Sequence, residues 1–267
     1  MLRTMPPLRI LAAALFALLL SAHPARAGAT APIAPEDDWS PVPVCVFGMP
    51  ESGDAVRNDN TGFVTEVLRA ALAPAGYDLI HRDIPYLRAR DELSRGSIQC
   101  TLTSKGTPEG AGQARSVIIA YDLAVVYVSA RGFSGLHDLA GQKVAHLYGH
   151  DFQRLLPVRI RPQTTYDRTS AIHMLDRGRV RYVVGEETML KDAVRKSGLP
   201  STEFGFSRFM SMDVVPLFAP TSEGIRLRDI FDRRMGEMAK SGELAAIYTR
   251  HGLPEDRIRH ILSTAGD

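Results

Sequence analysis

The chain reads as an α/β protein made of two similar halves joined by two crossing strands. Three observations carry that reading. Short apolar runs that suit strands alternate with stretches of helical periodicity. The alternation stops and restarts once along the chain. Two almost wholly apolar segments, Asp122–Ser129 and Asp213–Ala219, stand where a strand would pass from one half to the other and back.

The first unit opens with the strand Val42–Phe47. Gly62–Ala75 follows as an amphipathic helix, with Phe63, Val64, Val67, Leu68, Ala71 and Leu72 on one face and Gly76 as its stop. Tyr77–His81 is a strand, Pro85–Arg95 a helix closed by Gly96, and Ser97–Thr103 a third strand. A β-α-β-α-β order implies parallel strands with right-handed crossovers. The second unit repeats the theme: strand Lys143–Tyr148, a short helix over Phe152–Leu156, strand Ile160–Tyr166, helix Asp167–Arg177 with Asp167 as N-cap, strand Val180–Gly185, helix Glu186–Ser197 ended by Gly198, and strand Thr202–Phe209. Helices Ser222–Lys240 and Glu243–Arg250 finish the chain. The boundaries expected are 42–124 plus 216–267 for one lobe and 125–215 for the other. Two α/β halves with two crossings leave a cleft between them, and ligands bind beyond the carboxyl ends of such strands.

The N-terminus carries Met1-Leu2-Arg3, an apolar block Ile10–Leu20 and an exit Ala25-Arg26-Ala27, the pattern of a cleaved secretory signal. The block makes about 16 Å of helix, short of the ~30 Å hydrocarbon core; an uncleaved anchor is the alternative. Residues 28–41 read as a flexible leader, and periplasmic localisation without membrane anchoring is expected. Loss of Arg3, Arg9 and Arg26 turns a net charge of +2 into −1. That balance gives no electrostatic reason for nucleic acid or a membrane surface as partner. Hydrophobic content of 45% supports a packed core. No nucleophile elbow, H-E-x-x-H or phosphate loop is present, and Gly110-Ala111-Gly112 lacks a strand-to-helix context, so neither cofactor nor catalytic metal is expected. Cys45 and Cys100 sit on the first and third strands. A disulfide and a pair of buried thiols are both open, while a zinc site is not, for want of ligands at suitable spacing.

Six segments in order carry a resemblance: Gly62–Val67; Ile84-Pro85-Tyr86-Leu87-Arg88-Ala89; Leu93–Cys100; Asp138-Leu139-Ala140-Gly141-Gln142-Lys143-Val144; Leu175–Val184; and Ser241–Tyr248. Together they are similar to the extracytoplasmic solute-binding proteins of family 3, the polar amino-acid binders of ABC importers. The resemblance spans roughly residues 42–252. It implies the two-lobed type II periplasmic-binding-protein fold, a monomer, a small carboxylate-bearing solute as ligand and an inner-membrane ABC permease as partner. Two other roles fit the same architecture: a periplasmic dehydratase-like enzyme, and a ligand-sensing partner of a membrane receptor.

The resemblance also implies site residues. Arg115 matches the family's carboxylate-gripping arginine, because a guanidinium offers parallel N–H donors; a solvated loop charge is the alternative. Thr103 and Ser104 stand at the preceding strand end. Glu186 falls where the family places an acid that accepts an ammonium, or is simply a helix-start residue. The family's G-T-T turn is here Gly149-His150-Asp151, which puts an imidazole and a carboxylate where hydroxyls are usual; Asp151 also suits a helix cap. Phe47, Tyr86, Tyr121 and Tyr148 are aromatic candidates for the cleft walls, or core. Gln99 and Arg181 replace acids of the family pattern.

Overall fold

The computed structural model describes residues 42–107, 112–150 and 152–265. The expected signal and leader, and Asp151, lie outside the described residues.

In the first half, β1 (Val44–Gly48) runs parallel to β2 (Asp78–Arg82) and to β3 (Cys100–Ser104). Helix α1 (Phe63–Leu72) buries the predicted apolar face. A short turn after it ends at Gly76, whose φ of 85° is the left-handed conformation that favours glycine. Helix α2 (Tyr86–Ser94) covers the opposite sheet face, where Ala89 and Leu93 pack with Ile84, Ile98 and Leu217.

In the second half, β5 (Lys143–Leu147) runs parallel to β6 (Arg161–Thr165) and β7 (Tyr182–Glu186). Helix α3 (Arg168–Asp176) starts at Asp167, whose carboxylate accepts the Ser170 N–H at 2.7 Å, the predicted cap. Helix α4 (Glu187–Lys196) follows β7 directly. Alternate strand residues feed two cores, Ala145 and Val183 on one face and Val144, Tyr182 and Val184 on the other.

The halves are joined by β4 (Ile119–Val128) and β8 (Phe204–Phe218), long antiparallel strands that pair along their length. They fuse everything into one eight-stranded sheet, ordered β2-β1-β3-β8-β4-β7-β5-β6. This revises two expectations. The separate strands Thr202–Phe209 and Asp213–Ala219 are one strand, and its first part pairs antiparallel to its neighbour. The register slips between Leu123 and Ala124, where Met210 and Arg208 are the successive partners and Phe209 is the extra residue. Such a bulge is a natural bend point.

Helices α5 (Ser222–Ser241) and α6 (Glu243–Arg250) match expectation. A further helix, α7 (Glu255–Thr264), does not; it buries Ile258 and Ile261.

Cys45 and Cys100 stand on adjacent parallel strands, but Cys100 pairs with Phe47, two residues beyond Cys45. Strand spacing and rise then put the two Cα atoms about 8 Å apart, outside bridging range. Both thiols are free and buried. Burial pushes the Cys45 thiol up to about 12 and raises that of Cys100 as well.

Candidate functional site

The carboxyl ends of the second half's parallel strands lead into Tyr148-Gly149-His150 after β5, Arg168 after β6 and Glu186 at the end of β7. Tyr86, the first residue of α2, faces them from the other half, and Tyr121 enters from β4.

The halves are in contact. The Tyr86 ring stacks on His150, centroids 5.7 Å apart and planes 23° apart. Phe152 backs the imidazole at 5.4 Å. A Cβ at Gly149 would stand 3.1 Å from Leu87 of α2, and one at Gly53 would stand 3.1 Å from Met189 of α4. The structure is therefore closed.

Between these contacts lies a polar group in which Arg168 acts on each of the other members. Protein surrounds Glu186 on most sides, and this raises its carboxyl pKa although Arg168 opposes the rise. The same burial lowers the pKa of the Arg168 guanidinium, opposed by Glu186 and Tyr121. Tyr121 is raised by burial, then by Glu186 and Tyr86. His150 is pulled from 6.5 down to about 4 by burial, then by Arg168 and His146. These side chains keep some solvent access, as groups lining a narrow cleft do.

Arg168 and Glu186 are ionisable groups of opposite sign, both desolvated and in the same cleft, yet no ion pair within 4.0 Å joins them. Beneath Arg168 is a cavity of about 10 Å³ lined by Leu147, Phe152, Thr165 and Val184, among others. The Thr165 hydroxyl is buried there with no hydrogen-bond partner among the described residues. A desolvated arginine is suited to an anionic group. Among the described residues, no cluster of three or more His, Cys, Asp or Glu side chains is placed to hold a metal. No described helix is long and apolar enough to cross a membrane.

The structure brings Tyr86, Tyr121, His150 and Glu186 together and places Phe47, Thr103, Ser104, Arg115 and Tyr148 elsewhere. Phe47 is fully buried in the first half's core, so it cannot wall a ligand. Thr103 is buried, its hydroxyl 3.1 Å from that of Thr107. The Ser104 carbonyl accepts from the Thr107 hydroxyl at 2.9 Å and from Gln113 at 3.1 Å, which ties that strand end into its own loop. Arg115 has a side chain 70% exposed, with Nε 3.5 Å from Asp232 of α5. Asp232 also accepts the Arg115 and Ser116 N–H groups at 3.0 Å, so this arginine belongs to the loop's anchorage on α5. Tyr148, 52% exposed, packs on Tyr166 with centroids 5.3 Å apart.

Arg168 is the residue that sequence reasoning missed. A lone arginine in a helix's first turn, just after an N-cap, reads as a solvated charge. Its only sequence signal was being a cation at a position that the dipole disfavours.

No protein-family model matches the chain, and no curated protein does. Solved structures do. A substrate-binding protein of an ABC uptake transporter from Streptococcus pneumoniae, with bound histidine, aligns at TM-score 0.62 and 13% identity, covering 78% of this chain and 92% of that one. The GluR0 ligand-binding core complexed with L-glutamate aligns at TM-score 0.64 and 17% identity, over 79% and 98% of the two chains. A histidine kinase sensor domain with similarity to periplasmic binding proteins aligns at TM-score 0.64 and 16% identity, over 79% and 96%. At such identities these likenesses show the fold, that of the periplasmic binding proteins.

Proposed function

We propose that this protein captures a small, carboxylate-bearing, amino-acid-like solute between its two halves and delivers it to an inner-membrane ABC permease. The carrying observation is Arg168 opposite Glu186 in a closed, desolvated cleft with no ion pair between them. Leaving both charges unmatched is costly, and a zwitterion lying between them removes the cost. Its carboxylate meets Arg168 and its ammonium meets Glu186. Tyr121 and the stacked Tyr86–His150 pair wall the remaining space. The arginine of this reading is Arg168; Arg115 keeps its structural task on α5. The bodies that close follow the expected division at residue 124 on β4, with the return crossing on β8 at the bulge about Phe209 and not at 215.

A thermal-shift panel of amino acids, small carboxylates and neutral sugars tests this. A ligand that binds only the native state stabilises it by about 2.7 kcal/mol at 100 times its Kd. The expected result is stabilisation by one or more zwitterions and by no sugar. Stabilisation by an uncharged sugar alone would overturn the ligand class.

A further inference from the structure

The two crossing strands carry a charged network at their bend. The Asp122 side chain is only 11% exposed, accepts hydrogen bonds from two donors and stands beside a further cation. Ser211, its direct neighbour across the strands, donates at 2.6 Å. Arg257 of α7 makes a close ion pair with it. Arg208 Nη1 lies 3.4 Å away.

These partners differ in where they stand relative to the bulge. Ser211 lies on Asp122's side, and so does α7, which is also held by the 2.7 Å His260–Asp213 contact and by the Val117 N–H on Thr264 Oγ1 at 3.1 Å. Arg208 pairs with Ala124, beyond the slip at Phe209. Its other partner is the buried Glu187, the residue after Glu186 and the first of α4. Among the described ion pairs of this network, the Asp122–Arg208 contact is the one that spans the bend.

We propose that the Asp122–Arg208 ion pair is a latch across the hinge that favours the closed arrangement, with Arg257 of α7 positioning the Asp122 carboxylate. The proposal rests on the reading that the halves open and close. Rotation about the bulge changes the Asp122–Arg208 distance and leaves the Asp122–Ser211 and Asp122–Arg257 contacts in place. Opening then separates the largely buried Asp122 carboxylate from the exposed guanidinium beside it. Because Glu187 adjoins Glu186, the latch is also tied to the strand end that faces the solute.

Spin labels test this without a ligand. The whole chain carries Arg88→Cys on α2 and Tyr166→Cys beyond β6, while the buried native thiols stay unlabelled. Pulsed dipolar spectroscopy reads the distance between halves. Asp122→Asn and Arg208→Gln should each raise the open-to-closed ratio about threefold, the range for an ion pair with one exposed partner. Arg95→Gln, which breaks an exposed pair on α2, should not. Arg208 has an exposed side chain, so its variant keeps the fold even if Asp122→Asn does not. Two populations in wild type with the same ratio in both variants would overturn the latch alone. One invariant distance in every protein would overturn the latch and the moving halves together.

Discussion

Acidification should weaken the fold through one side chain, His150. Its imidazole lies between Tyr86 and Phe152, with Arg168 and His146 near, and burial and those charges lower its pKa from 6.5 to about 4. The native state thus holds it neutral, while the unfolded chain protonates it below about 6.5. The stabilising contribution is complete above that pH and is lost as pH falls towards 4. In full it is about 3 kcal/mol, and at pH 5.5 the loss is about 1.4 kcal/mol. His150→Phe keeps an aromatic ring in the stack and cannot titrate. Urea unfolding of both proteins at pH 7.5 and 5.5 isolates the effect, since other titrating groups are common to the two. Wild type should lose about 1.4 kcal/mol more than the variant between those values. Equal losses would refute the reasoning and place the native imidazole in a solvated, ordinary environment.

Two further outcomes follow from the geometry. Cys45 and Cys100 should resist a thiol reagent in the native protein and react as a pair in denaturant, because both are buried and held protonated; an intact mass two hydrogens low after export would show a bridge instead. Asp232→Ala should cost about 2–4 kcal/mol in chemical denaturation, because the Arg115 and Ser116 N–H groups lose their acceptor, whereas Arg115→Ala should cost less than about 1 kcal/mol. The opposite ranking would show that the exposed pair, rather than the buried amides, holds this loop.

Local pattern carried most of the fold. The apolar stripe of α1, the Asp167 cap and the glycine stops are short-range features whose causes lie within a few residues. Long-range pairing was harder to see. Polar residues Arg208, Ser211 and Asp213 interrupt β8, so alternation broke into two pieces, although a strand crossing between bodies is solvated along its middle. Helix α7 buries Ile258 and Ile261 at helical spacing, but it lies beyond residue 252, where the family resemblance ends. In the site, Tyr86, Tyr121, His150 and Glu186 were legible because strand ends and helix starts fix where such residues point. Arg115 and Phe47 misled for one reason: their sequence neighbours fit the family pattern, while Asp232 on α5 and the packing of β1 decide where their side chains go. Neither contact has a local signature. Arg168 escaped notice because its environment is built from β5, β7 and the opposing half.

The most direct test of the account is calorimetry on the solute that stabilises wild type, comparing Arg168→Gln with Arg115→Gln. The account predicts that Arg168→Gln weakens binding by about 2–5 kcal/mol, since the solute's carboxylate is still desolvated but loses its charged partner, while Arg115→Gln leaves affinity within about threefold of wild type. Retained affinity in Arg168→Gln, with binding lost in Arg115→Gln, would contradict it and return the carboxylate grip to the α5 side of the molecule.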